Sequence, residues 1–257
     1  MSPANQFLLA LQAYQEVQAE MRQPEQTAVF VSPDPVLDDP LPAGSLLIGL
    51  AEDGQPLSFD LFEPATGPIL VAGGGGCGKT AFLQALADAT ESDLDLQFGV
   101  LTAFPEEWHA QETLPGCLGI WNADHPAAGQ FLERLISWAP VLPATRQAIL
   151  LLIDGLDGMN LGSATRQAVR WLIARGPEAH ILPVVSANAG RVTRLGSLQD
   201  YFHTRVLGHT RRGNAACLLG RHPEMDLADL TPGMQFYLEW EQGTLRFWTS
   251  PLEGVMP

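Results

Sequence analysis

The sequence contains one lysine, Lys79, and it closes a run of glycines: Gly73, Gly74, Gly75, Gly76, Cys77, Gly78, Lys79, Thr80. The run fits the pattern G-x-x-x-x-G-K-[ST], and its residue types suit one task, holding a chain of phosphates. Glycines let the backbone curl until several N–H groups point at one spot with no Cβ in the way. A helix opening at Ala81 would add the partial positive charge of its N-terminus. Lys79 would reach the β- and γ-phosphates as a compact cation, and the Thr80 hydroxyl would be a ligand to Mg2+. Gly73 to Ala81 is therefore the expected binding segment for ATP, with Mg2+ as the accompanying metal.

A phosphate loop needs a carboxylate across the metal. Ile149-Leu150-Leu151-Leu152-Ile153-Asp154 is an apolar strand with an aspartate at its C-terminal end, where open α/β sheets place ligand groups. Asp154 is the expected second metal-site residue, acting through the metal's water shell. Many such ATPases place a water-polarising glutamate immediately after this aspartate, but here the position is Gly155. Asp157 is the nearest substitute, provided its loop curls back toward the γ-phosphate. Cys77 has two readings, a thiol whose oxidation would block the nucleotide and a small residue that fits the loop.

These residues need a scaffold, and the rest of the chain reads as one. Leu46–Leu50 and Leu57–Leu61 around Glu52-Asp53-Gly54 predict a hairpin. Pro68–Ala72, Phe98–Leu101, Leu118–Trp121, Ala148–Ile153 and His180–Ser186 predict strands. Helices are expected at Ala81–Ala89, at Ala127–Ala139 with Trp138 inward, and at Ser163–Ala174. Alternating strands and helices imply an α/β fold, a mostly parallel sheet with helices on both faces; together with the glycine loop it resembles the P-loop NTPase (RecA-like) fold. Gln235–Trp240 and Thr244–Trp248 predict a terminal hairpin, and the six tryptophans read as core residues. Residues 1–23 predict an amphipathic helix, 24–44 a proline-rich linker and 45–257 the ATPase domain.

The composition sets limits. Three cysteines, at 77, 117 and 217, form no pair with metal-site or disulfide-framework spacing. No apolar run reaches the ~18–20 residues that span a bilayer, and the N-terminus lacks a basic leader, so a cytoplasmic protein is expected. The net charge of −15 argues against non-specific wrapping of nucleic acid. The charge is uneven, however: residues 134–221 carry 11 arginines and a net of +7, enough for a local channel lining or a subunit contact.

The order of these features resembles the motor domain of the FtsK/SpoIIIE/HerA group of P-loop ATPases, over about residues 45–250. The resemblance is carried by GLAEDGQPLSFDL, PILVAGGGGCGKTAFLQAL, LLLID, HILPVVSANAG, FHTRVLGHTRRGNAACLLG and PGMQFYL. It implies a homo-oligomeric ring, typically a hexamer, that moves double-stranded DNA, with an arginine completing each site from the neighbouring subunit. It also implies that Asn188 occupies the place of a polar γ-phosphate sensor, usually glutamine followed by arginine; here Ala189 follows. With Gly155 and Ala189 in those places, a nucleotide-binding assembly protein or switch with slow hydrolysis stays open. A signalling ATPase similar to the NACHT type, suggested by Ile153–Asp157, is a third reading. The N-terminal helix is expected to meet its own domain or a protein partner.

Overall fold

The computed structural model describes residues 42–249 apart from 216–217, 219–224 and 242. The expected N-terminal helix and nearly all of the linker lie outside the described residues. Ten strands form one sheet: β1 (Ser45–Ala51), β2 (Pro56–Asp60), β3 (Ile69–Gly73), β4 (Leu96–Thr102), β5 (Cys117–Asn122), β6 (Ala148–Asp154), β7 (Ile181–Asn188), β8 (Thr204–Gly208), β9 (Gln235–Trp240) and β10 (Gly243–Trp248). Their order is β2-β1-β10-β9-β8-β3-β7-β6-β4-β5. The six strands from β8 to β5 are parallel, and β9, β10, β1 and β2 extend the sheet in antiparallel pairs. The α/β expectation is met.

The central strands are apolar up to their C-terminal ends because both faces are covered. Every residue of β3 and of β6 is buried. On one face, helices α2 (Pro126–Trp138) and α3 (Ser163–Arg175) bury Phe131, Leu132, Leu135, Val169, Leu172 and Ile173. On the other, helix α1 (Lys79–Ala89) buries Phe82, Leu83 and Leu86. Phe236 of β9 and Phe247 of β10 flank Phe82, with ring centroids 5.3 and 6.3 Å away. The antiparallel strands thus seat the helix that follows the glycine loop. Helix α2 opens with proline after His125, whose Nδ1 accepts the Ala127 N–H at 3.2 Å.

Several expectations need correction. The first helix opens at Lys79, two residues earlier than expected, so Lys79 and Thr80 sit in its first turn. The expected terminal hairpin forms from β9 and β10, and it also joins the main sheet, β9 pairing with β8 and β10 with β1. Trp138 is at the surface, 36% exposed, and Trp171 and Trp248 are also partly exposed, whereas Trp108 is fully buried. Trp138 ends its helix, so no further turn packs over it.

Trp121 stacks on Phe131 with centroids 3.6 Å apart, and glycine makes room for that pair. A Cβ on Gly99 would lie 2.5 Å from Phe131 Cζ and 3.3 Å from Trp121 Cζ3. Gly99→Val should therefore destabilise the fold by about 1–3 kcal/mol through overpacking, read as a lower urea midpoint at unchanged slope.

Candidate nucleotide site

Strand β3 delivers the glycine loop to the C-terminal edge of the sheet, and neighbouring loops grip it from two sides. The Gly74 N–H donates to the His209 carbonyl at 2.8 Å, and the Gly233 N–H donates to the Cys77 carbonyl at 3.1 Å. A Cβ on Gly78 would come within 2.5 Å of Gly233 Cα, and Gly78 has φ 88°, so only glycine suits this point. The outer side is open. Gly75 and Gly76 are exposed, and the amides of Gly75, Gly76, Cys77 and Gly78 donate to no oxygen acceptor among the described residues. Unused amides beside a helix N-terminus are the arrangement that suits an anion. The Lys79 ammonium donates to the Gly74 carbonyl at 2.7 Å and the Gly73 carbonyl at 3.3 Å, folded against its own loop.

Strand β7 lies between β3 and β6, and the parallel registers align Gly73 with Asn188 and Thr102 with Asp154 at one edge. Thr80 Oγ1 donates to Asp154 Oδ2 at 2.9 Å, across 74 residues of sequence. Asp154 Oδ1 accepts from Ser186 Oγ at 2.6 Å, and the same Ser186 oxygen accepts the Gly155 N–H at 2.8 Å. Both carboxylate oxygens are thus engaged in a site where Asp154 is only 9% exposed. Ser186 was not singled out in the sequence; its one signal is a hydroxyl in the otherwise apolar run of β7.

Asp157 and Asn188 form a second cluster beside the first. Asp157 Oδ1 accepts the Asn188 N–H at 3.0 Å, and Oδ2 lies 3.8 Å from Arg191 Nε. The Asn188 side-chain oxygen accepts the Gly190 N–H at 3.0 Å, capping the 3₁₀ turns that follow. The structure therefore joins Thr80 to Asp154, with Lys79 next in the chain, and commits Asp157 to bracing the end of β7. Arg191 contacts Asp157, Arg212 pairs with Asp226 at 3.0 Å, and Arg205 Nε donates to the Phe202 carbonyl. Among the described residues no group of three or more histidine, cysteine, aspartate or glutamate side chains could hold a metal. The metal reading rests instead on Thr80 and Asp154. Two oxygen donors suit Mg2+, which keeps several waters and takes few protein ligands.

No family model matches the sequence, and no curated protein matches it. Solved structures do. The cytoplasmic domain of the type VII secretion ATPase EccC of Thermomonospora curvata is 16% identical with a TM-score of 0.63, over 82% of this chain and 27% of that one. ATPases 2 and 3 of EssC from Geobacillus thermodenitrificans are 15% identical with a TM-score of 0.67, over 85% and 49%. The pCW3 conjugation coupling protein TcpA, solved as a monomer with ATPγS, is 15% identical with a TM-score of 0.62, over 81% and 66%. This chain thus spans between about a quarter and two thirds of the length of these three structures. These neighbours are P-loop ATPase domains of the FtsK/SpoIIIE type, the resemblance read from the sequence. At such identities the likeness establishes the fold. No described helix is long and apolar enough to cross a membrane.

Cys77 is buried, its sulfur between Gly73 and Gly208. Burial raises the thiol pKa, and the nearby Lys79 only partly opposes it. The packing reading of Cys77 follows from this, because the thiolate is the reactive form. A raised pKa means that the fold prefers the neutral thiol. That contribution to stability is complete below the ordinary thiol pKa and is lost as pH rises through the higher folded value. Iodoacetamide at pH 8 should modify Cys77 at least ~10-fold more slowly in the folded protein than in the urea-unfolded chain, by peptide mass spectrometry.

Proposed function

We propose that the protein is an ATP-binding P-loop ATPase of the FtsK/HerA translocase type, working as a homo-oligomeric ring on double-stranded DNA or another polymer. One observation carries the reading: the 2.9 Å hydrogen bond from Thr80 to Asp154, which joins the glycine loop to the carboxylate of a distant strand. The free amides of Gly75 to Gly78 bind the phosphates, helped by the field at the start of α1. Lys79 exchanges the carbonyls of Gly73 and Gly74 for phosphate oxygens. Thr80 donates its hydroxyl hydrogen bond to Asp154, so its oxygen lone pairs would be free for Mg2+, and Asp154 would hold the metal through its water shell. The metal supplies charge neutralisation on the phosphates. The arginine-rich stretch of residues 134–221 provides the cationic group that a neighbouring copy needs to complete its site. The N-terminal segment meets a protein partner or its own domain.

A second reading is an assembly protein or switch whose hydrolysis is slow, and particular residues favour it. Gly155 carries no group to polarise water, and both oxygens of Asp157 face Asn188 and Arg191. The rate of ATP hydrolysis with and without double-stranded DNA, together with particle mass with and without ATP, separates the two. A motor hydrolyses faster on DNA, while a switch changes mass with little turnover. Under either reading Lys79→Ala should weaken ATP binding by roughly ten- to a hundredfold, the loss of a charge-assisted hydrogen-bond donor. Titration with a fluorescent ATP analogue measures it. Unchanged affinity would remove the glycine loop from the nucleotide site.

A further inference from the structure

We infer that Ser186 is a positioning residue that sets how strongly the site depends on its metal, an inference that rests on the ATP–Mg2+ reading above. Ser186 is 1% exposed, and the residues before it on β7 are Ile181-Leu182-Pro183-Val184-Val185. A hydroxyl buried in such a strand is unfavourable unless both its donor and its acceptor are used. Here both are used at the end of β6: the hydroxyl donates to Asp154 Oδ1 at 2.6 Å, and its oxygen accepts the Gly155 N–H at 2.8 Å.

The consequence falls on Asp154. With Oδ1 taken by Ser186 and Oδ2 facing Thr80, the carboxylate is held in one orientation before any metal arrives. Ser186 therefore acts on the metal through Asp154, without touching phosphate or metal itself. Partners of this kind alter metal affinity by about 10- to 100-fold when removed. Ser186 bonds to Asp154 and Gly155 and to neither the glycine loop nor Lys79, so affinity for metal-free nucleotide does not pass through it.

The test compares wild-type protein with Ser186→Ala, and Ser186→Thr with Ser186→Val, the last two differing chiefly in the hydroxyl. A fluorescent ATP analogue is titrated in excess Mg2+ and again in EDTA, and apo thermal unfolding is recorded for each variant. Wild type and Ser186→Thr should bind more tightly with Mg2+ than in EDTA. Ser186→Ala and Ser186→Val should lose about tenfold or more of that Mg2+ gain while matching the others in EDTA. Equal weakening in both conditions, or an undiminished Mg2+ gain in the variants lacking the hydroxyl, would overturn the inference and leave the nucleotide site standing. If Ser186→Ala does not fold, the Thr and Val pair gives the same comparison. Wild-type protein that binds no nucleotide in either buffer would overturn the proposed function, and this inference with it.

Discussion

The hydrogen bond between Thr80 and Asp154 is the contact on which the rest of the site depends, and it imposes severe conditions on the fold. It spans 74 residues of sequence and joins a helix to the end of a strand two places away across the sheet. Strand β7 must intervene, and all three strands must run parallel so that their C-terminal ends meet at one edge. A carboxylate as buried as Asp154 also needs partners for both oxygens. Thr80 supplies one from α1, and Ser186 the other from the intervening strand. The strand order and the satisfaction of this single carboxylate are two aspects of one constraint.

Holding the glycine loop is a separate problem, solved by the antiparallel half of the sheet. The loop's curvature depends on left-handed backbone at Gly76 and Gly78. Its position depends on His209 after β8 and Gly233 before β9, which bond to it directly. Behind it, Phe236 and Phe247 pack on Phe82 and fix α1 against the sheet. Burying these aromatic rings is worth several kcal/mol in total, and it acts on the helix whose first turn holds Lys79 and Thr80. Strands that read from the sequence as a terminal hairpin are thus part of the frame of the glycine loop.

How much of this was legible depends on how local each signal is. The glycine loop has fixed spacing between β3 and α1, and β6 is a run of buried residues ending in aspartate, so both could be read directly. The pairing of β9 with β8, and of β10 with β1, is set by contacts distant in sequence, which a hairpin pattern does not encode. Trp138 has the spacing of an inward residue but ends its helix, and burial there is decided by what lies beyond. Ser186 was invisible for a similar reason. A lone serine in a strand has no periodicity, and its value appears only when β6 lies alongside. Asp157 carried the opposite risk, since its place near Asp154 suggested chemistry while its oxygens serve the backbone of Asn188 and the side chain of Arg191.

Gly155 ties the scaffold to the chemistry most closely. Its φ of 85° lies in the left-handed region, where a side chain is disfavoured by about 1–2 kcal/mol. The obstacle is the backbone alone, because a Cβ at this position meets nothing within 4 Å. The same turn aims the Gly155 N–H at Ser186, whose proton then goes to Asp154. The missing side chain at 155 and the bracing of Asp154 therefore share one backbone conformation. A carboxylate at 155 would have space, yet it would strain the turn that keeps Ser186 in place. In this chain the turn after β6 favours a firmly held Asp154 over a side chain at position 155.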